Sequence, residues 1–227
     1  MNFSDFESKI GYSFNNKSLL EQAFTHRSYL NENKTCGEHN ERLEFLGDAV
    51  LELAVTEFLY AKYPDKPEGD LTAYRAALVN TQSISVAATE LGMNEYLLLS
   101  RGEARDTGRA RQIILANAFE ALIGAIYLDA GYGAARDFIA AQLHHKADDV
   151  VAKRLWQDSK SRFQETAQEI HGITPTYVLV SQTGPDHNKQ FVVAAHVGSE
   201  RIAMGEGRSK QEAEQDAAQK ALAAKGW

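Results

Sequence analysis

Cysteine is almost missing from this chain. Cys36 is the only one in 227 residues, so no disulfide can form within the chain, and a reducing cytoplasm is the expected setting. Proline is scarce at 4 residues, and neither an internal repeat nor a low-complexity segment is present, which excludes repeat arrays and biased linkers. Met1 to Phe14 lacks a cationic stretch followed by an apolar core, so no secretory signal is expected. No apolar run approaches the roughly 20 residues of a membrane span, and no membrane partner is expected. Positive charge is also short, at 24 Lys and Arg against 31 Asp and Glu. From Asp158 onward the count is 8 against 9, which leaves 16 against 22 for residues 1–157. A phosphate-binding surface is usually basic. Either the positive charge is gathered on one face or the ligand is not a nucleic acid, and composition alone leans to the second.

What is present suits a globular protein, 44% hydrophobic and 24% charged, with room for two domains. Residues 1–150 read as helices: a short one capped by Ser4 and ending at Gly11, another over Lys17 to Leu30, and a long one from Glu38 to Lys62 stopped by Pro64. Residues 31–37 read as a loop. Asp70 reads as the N-cap of a helix reaching Leu91, with Gly92 beyond it. After a charged loop from Arg101 to Arg109, helices are expected over Arg111 to Asp129 and Gly133 to Asp149, separated by Gly131. Residues 151–157 form a connector. The remainder, 158–227, changes pattern to helix over Ser159–His171, alternating or β-branched runs at Thr176–Gln182, Gln190–Val197 and Arg201–Gly205, and an Ala-rich helix to Lys225. The fold class is thus an all-α domain followed by a small α+β domain of order α-β-β-β-α, its antiparallel three-stranded sheet covered on one face by two helices.

Glu44 and Asp48 are four apart and stack on one face of a helix, with Glu41 three before Glu44 on the same side. Leu43, Phe45, Leu46, Val50 and Leu51 surround them, so the acidic stripe lies near buried surface. Like charges there repel, and a cation would neutralise them. The alternative is a solvated acidic face on an ordinary amphipathic helix. Gly47 argues against it, because an interior glycine costs about 1 kcal/mol against Ala and signals close packing. A second, nearly continuous apolar helix is interrupted by Asn117 and Glu120, three apart and facing the same way. Oxygen ligands from two facing helices are how helical domains hold hard cations. A capped or hydrogen-bonded structural pair is the competing reading of Asn117 and Glu120.

The run Asn40-Glu41-Arg42-Leu43-Glu44-Phe45-Leu46-Gly47-Asp48 resembles the signature of the bacterial ribonuclease III family. Ala23–Tyr29, Glu68-Gly69-Asp70-Leu71 and Ile114–Asp129 resemble its other blocks in the same order, and residues 158–227 resemble a double-stranded-RNA-binding domain. The resemblance implies a homodimeric endonuclease that cuts both strands of duplex RNA, processes rRNA and mRNA precursors, and leaves 5′-phosphate and 3′-hydroxyl ends. It implies Mg²⁺, with Mn²⁺ as substitute, and no organic cofactor. By position, Glu44, Asp48 and Glu120 are the acidic ligands, and Glu41 and Glu68 are auxiliary carboxylates. Phe45 is an aromatic that docks into the partner subunit, simple core packing being its other reading. Where many family members carry Asp, this chain has Asn117, whose amide oxygen can ligate but adds no charge. A duplex-binding protein with a weakened cutting site is therefore the second hypothesis.

For the C-terminal domain the resemblance implies three contact regions. Gln164 and Glu165 face one minor groove, His187 the next, and Arg208, Ser209 and Lys210 the phosphates between. Ser209-x-x-Glu212 also reads locally as a capping box, which would fix a helix start whose N–H groups face phosphate. Gln211 stands where a second basic residue is common.

Overall fold

Helix α4, Glu41–Lys62, grows from a run whose apolar residues Leu43, Val50, Leu51, Ala54, Val55 and Leu59 recur at three- and four-residue spacing, and these are the residues it buries. The computed structural model describes residues 2–33, 37–152, 156–185 and 189–227. It divides into two compact units, Met1–Trp156 and Gln157–Trp227.

In the first unit, α1 (Ser4–Ile10), α2 (Lys17–Phe24), α3 (Arg27–Glu32), α4, α5 (Glu68–Val79), α6 (Thr81–Glu90), α7 (Arg109–Leu143) and α8 (Ala147–Ala152) follow one another. Helices α4, α6 and α2 pack against α7, whose segment from Ile114 to Ile126 is almost wholly buried. The helical run around it, Arg109–Ala152, is by length and composition apolar enough to cross a membrane, which the sequence reading did not expect; here its apolar part is mostly buried in the core of the unit. Gly131, at φ +81°, kinks α7 where the sequence placed a stop.

Several boundaries differ from expectation. Ser4 is the first residue of α1 rather than its cap, which is Phe3. Lys17–Leu30 is two helices, because His26 N–H donates to the Leu98 carbonyl and Leu98 N–H to that of Phe24, drawing Thr25 into an isolated parallel bridge. Tertiary pairing overrides the helical period there. Asn31 and Glu32 belong to α3, not to a loop. Helix α4 starts at Glu41 rather than Glu38, its preceding Asn40 buried and bonded to the carbonyls of Ala23 and Thr25. Pro67, not Asp70, precedes α5, and the expected helix to Leu91 breaks at Asn80, whose extended backbone and side-chain bond to Ser83 N–H start α6. Trp156, expected in a connector, packs edge-on against Tyr74.

In the second unit, α9 (Ser159–His171) is capped by Asp158 and ends at Gly172 in the left-handed region. Strands β1 (Thr176–Thr183), β2 (Gln190–Val197) and β3 (Glu200–Gly207) form an antiparallel sheet in that order, and α10 (Lys210–Lys225) closes it. One sheet face buries Ala195 and Val197 against Phe163 and Ala167 of α9 and Ala217, Ala218, Ala221 and Leu222 of α10. Glycine is required on β3: a Cβ at Gly205 would stand 2.7 Å from Ala217 Cα, and one at Gly207 2.5 Å from Ala213 nitrogen. The expected helix–strand order and the covered face are both present.

Candidate active site

The site begins with two backbones in contact. A Cβ on Gly47 would overlap the Glu120 carbonyl and lie 2.8 Å from the Gly124 nitrogen. A Cβ on Gly124 would overlap the Leu43 carbonyl and lie 3.2 Å from the Gly47 nitrogen. Helices α4 and α7 can cross this closely only because both positions lack a side chain. Gly47 carried a sequence signal; Gly124 was missed, although a glycine inside an apolar helix is the same signal.

The crossing brings acidic groups from both helices together. Burial, then the charges of Asp48 and Glu44, raise the Glu120 carboxyl from 4.5 to about 7. Burial also raises Glu44, as do Glu41 and Asp48, while a hydrogen bond from the Asn117 amide pulls it back. Glu44, Asn117 and Glu120 are half-buried, and Asp48 is exposed. Asp48 and Glu44 on α4 thus both act on Glu120 of α7.

The other expected carboxylates stand apart. Glu41 is half-exposed, with its Oε1 3.5 Å from Arg27 and its Oε2 3.8 Å from His39, so it borders the cluster while pairing with Arg27. Arg27 and His39 were not singled out from the sequence. Glu68 opens α5 and lines a groove with Thr56, Leu59, Tyr60 and Arg75, near the far end of α4. This fold of one chain does not bring Glu68 to the others. Phe45 is 82% exposed, which rules out core packing within the chain, and it borders a groove of about 570 Å³ lined by Leu43, Leu46 and Leu128.

The donor set is chemically suited to a hard divalent cation: three carboxylates and one carboxamide, all oxygen donors, on a rigid crossing. Among the described residues, no three His, Cys, Asp or Glu side chains already stand at ion-holding spacing.

On the second unit, Gln164 and Glu165 are exposed on α9, and Glu165 accepts a hydrogen bond from Gln157. Ser209 caps α10 by accepting from Glu212 N–H at 3.1 Å, and Glu212 accepts in return from Arg208 N–H at 2.9 Å, one residue earlier than the usual box. Arg208, Ser209 and Lys210 are exposed at this helix start. Lys160, Lys220 and Lys225 are engaged by Glu214, Asp216 and Glu200. His187 lies outside the described residues.

Comparison with known proteins agrees with this division. The family model "Ribonuclease-III-like" matches residues 16–147, and "Double-stranded RNA binding motif" matches 159–225. The chain is 48% identical over 97% of its length to a Ribonuclease 3 of Bacillus licheniformis, 89% of which is covered. It is 44% identical over 95% of its length to one of Bdellovibrio bacteriovorus, of which 93% is covered. Among solved structures, the nuclease domain of ribonuclease III from Campylobacter jejuni matches with TM-score 0.58 and 40% identity, over 64% of this chain and 95% of that one. Helical nuclease unit, duplex-binding unit and relatives aligned across nearly the whole length converge: the chain belongs to the ribonuclease III family and is an endoribonuclease of double-stranded RNA.

Proposed function

We propose that the first unit hydrolyses duplex RNA at a divalent-ion-dependent carboxylate site, leaving 5′-phosphate and 3′-hydroxyl ends, with rRNA and mRNA precursors as the substrate class. What supports this reading is the close backbone crossing at Gly47 and Gly124, together with the influence of Asp48 and Glu44 on the Glu120 carboxyl across it. Glu44, Asp48, Glu120 and the Asn117 carbonyl oxygen would hold Mg²⁺, with Mn²⁺ as substitute. When bound, such an ion acidifies a coordinated water and offsets charge on the phosphate under attack. The protein fixes the ligands by backbone contact, and Glu41, tethered toward Arg27, adds negative potential at the rim. Glu68 is left outside the chemistry of its own chain.

A second copy completes the enzyme. The exposed Phe45 ring lines a groove whose wall mixes Leu43, Leu46 and Leu128 with charged residues such as Glu38 and Arg42, a surface suited to a two-fold, self-complementary contact. The second unit grips the duplex with Gln164, Glu165 and His187 toward the minor grooves and Arg208, Ser209 and Lys210 toward phosphate.

Incubating the full chain with a long RNA duplex tests this reading. Cleavage in Mg²⁺, loss of cleavage in chelator and fragments bearing 5′-phosphate are expected. An intact duplex in Mg²⁺ with undiminished binding would leave only the duplex-binding hypothesis raised by Asn117.

A further inference from the structure

One carboxylate of the second unit faces two lysines drawn from different helices. Oε2 of Glu214 lies 2.6 Å from Nζ of Lys160 on α9, and its Oε1 lies 3.9 Å from Nζ of Lys210 at the start of α10. The two contacts are unequal. Lys160 is half-buried, donates a hydrogen bond to Glu214 and sits 5.2 Å from the centre of the Tyr177 ring on β1, so a close anion and an aromatic face both hold its ammonium. Its main chain is fixed as well: Lys160 N–H donates to the Gln215 side chain, which donates in turn to Asp158, the cap of α9. Lys210 is the opposite case. Its side chain is 60% exposed and stands beyond hydrogen-bonding distance of Glu214, so it is free to turn to another anion. Glu214 is 15% exposed and lies one turn into α10, so its charge stays beside whatever Lys210 meets.

Resting on the reading that Lys210 meets RNA phosphate, we infer that Lys160 is a positioning residue for duplex binding. It cancels the charge of Glu214 and so releases Lys210 to the phosphate, without touching RNA itself. A bare carboxylate in that place would compete with phosphate for the Lys210 ammonium and would repel the backbone of the duplex. With Lys160 bonded to its other oxygen, Glu214 keeps only a loose hold on Lys210.

Binding of the full chain to an RNA duplex in chelator, measured across a salt series, tests this without reference to cleavage. Lys160→Gln is expected to bind about fivefold more weakly, the upper worth of one exposed ion pair, while Lys160→Arg, which keeps the charge, stays within about twofold of the unaltered protein. Adding Glu214→Gln to Lys160→Gln is expected to restore the affinity, since no charge then remains to be cancelled. A lysine in direct contact with phosphate predicts instead a deficit that Glu214→Gln leaves in place, and that outcome overturns the inference. So does unaltered binding by Lys160→Gln, or an equal loss in the arginine variant. If melting without RNA shows that Lys160→Gln does not fold, Glu214→Gln alone decides: with Lys210 released it should bind about threefold tighter, and unchanged or weaker binding overturns the inference. Lys210→Gln separates the levels. If it binds as well as the unaltered protein at every salt concentration, Lys210 meets no phosphate, and the underlying reading fails together with the inference. If it binds more weakly, with a salt slope lower by about one, while Lys160→Gln matches the unaltered protein, the inference alone falls.

Discussion

Replacing Glu120 by Gln should kill the enzyme while making the ion-free protein more stable. The Glu120 carboxyl binds its proton more tightly in the folded chain than in the unfolded one, at about 7 against 4.5. Folded-state stability therefore falls as pH rises from 4.5 through 7, and the loss is complete above that range. At about 1.4 kcal/mol per pH unit the gap corresponds to roughly 3 kcal/mol, and partial exposure to solvent reduces this to about 2 kcal/mol. Gln keeps the shape and cannot ionise. In chelator at pH 8, the variant should melt about 4–8 °C higher than the unaltered protein, by the usual scaling for a domain of this size. At pH 4.5 the two should coincide. Calorimetry across this range, beside a cleavage assay with duplex RNA in Mg²⁺, reads both halves. A variant that melts lower at pH 8, or one that still cuts, would refute the argument that Glu120 sits among unneutralised carboxylates and serves the reaction.

Gly124→Ala, whose new methyl group meets the Leu43 carbonyl, should force the α4–α7 crossing apart and cost about 3 kcal/mol or more in a denaturant titration; a loss below about 1 kcal/mol would mean the crossing is not tight. Phe45→Ala should shift the protein toward monomer in sedimentation analysis while leaving the melting temperature of the monomer nearly unchanged, because the ring is exposed within one chain. Removing residues 158–227 should weaken duplex binding at physiological salt far more than it slows cutting of bound RNA, with the binding deficit shrinking at low salt. Equal deficits in binding and in single-turnover cutting would contradict that separation.

The change from helical to alternating pattern near residue 158 is visible in the sequence because sheet and helix impose different periods on their apolar residues. Glu44, Asp48 and Glu120 were also legible, each a charge set among apolar neighbours. What escaped was whatever depends on distant partners. The apolar period runs through Thr25 and His26 without a break, and only the pairing with Leu98 interrupts the helix. Asn80 looks like an ordinary helix residue until its side chain caps Ser83. Glu68 shares a family block with the other acids, yet α5 carries it to the far end of α4. The deficit of basic residues also misled, since charge totals say nothing of place.

The alanine-built packing between α10 and the sheet has a thermal consequence. Fewer than 80 residues, buried around Phe163, Leu222 and several methyl groups, leave the second unit a thin margin against heat. Warming should loosen the clamp while the blade is still whole, and bound duplex, by mass action, should hold it shut to a higher temperature.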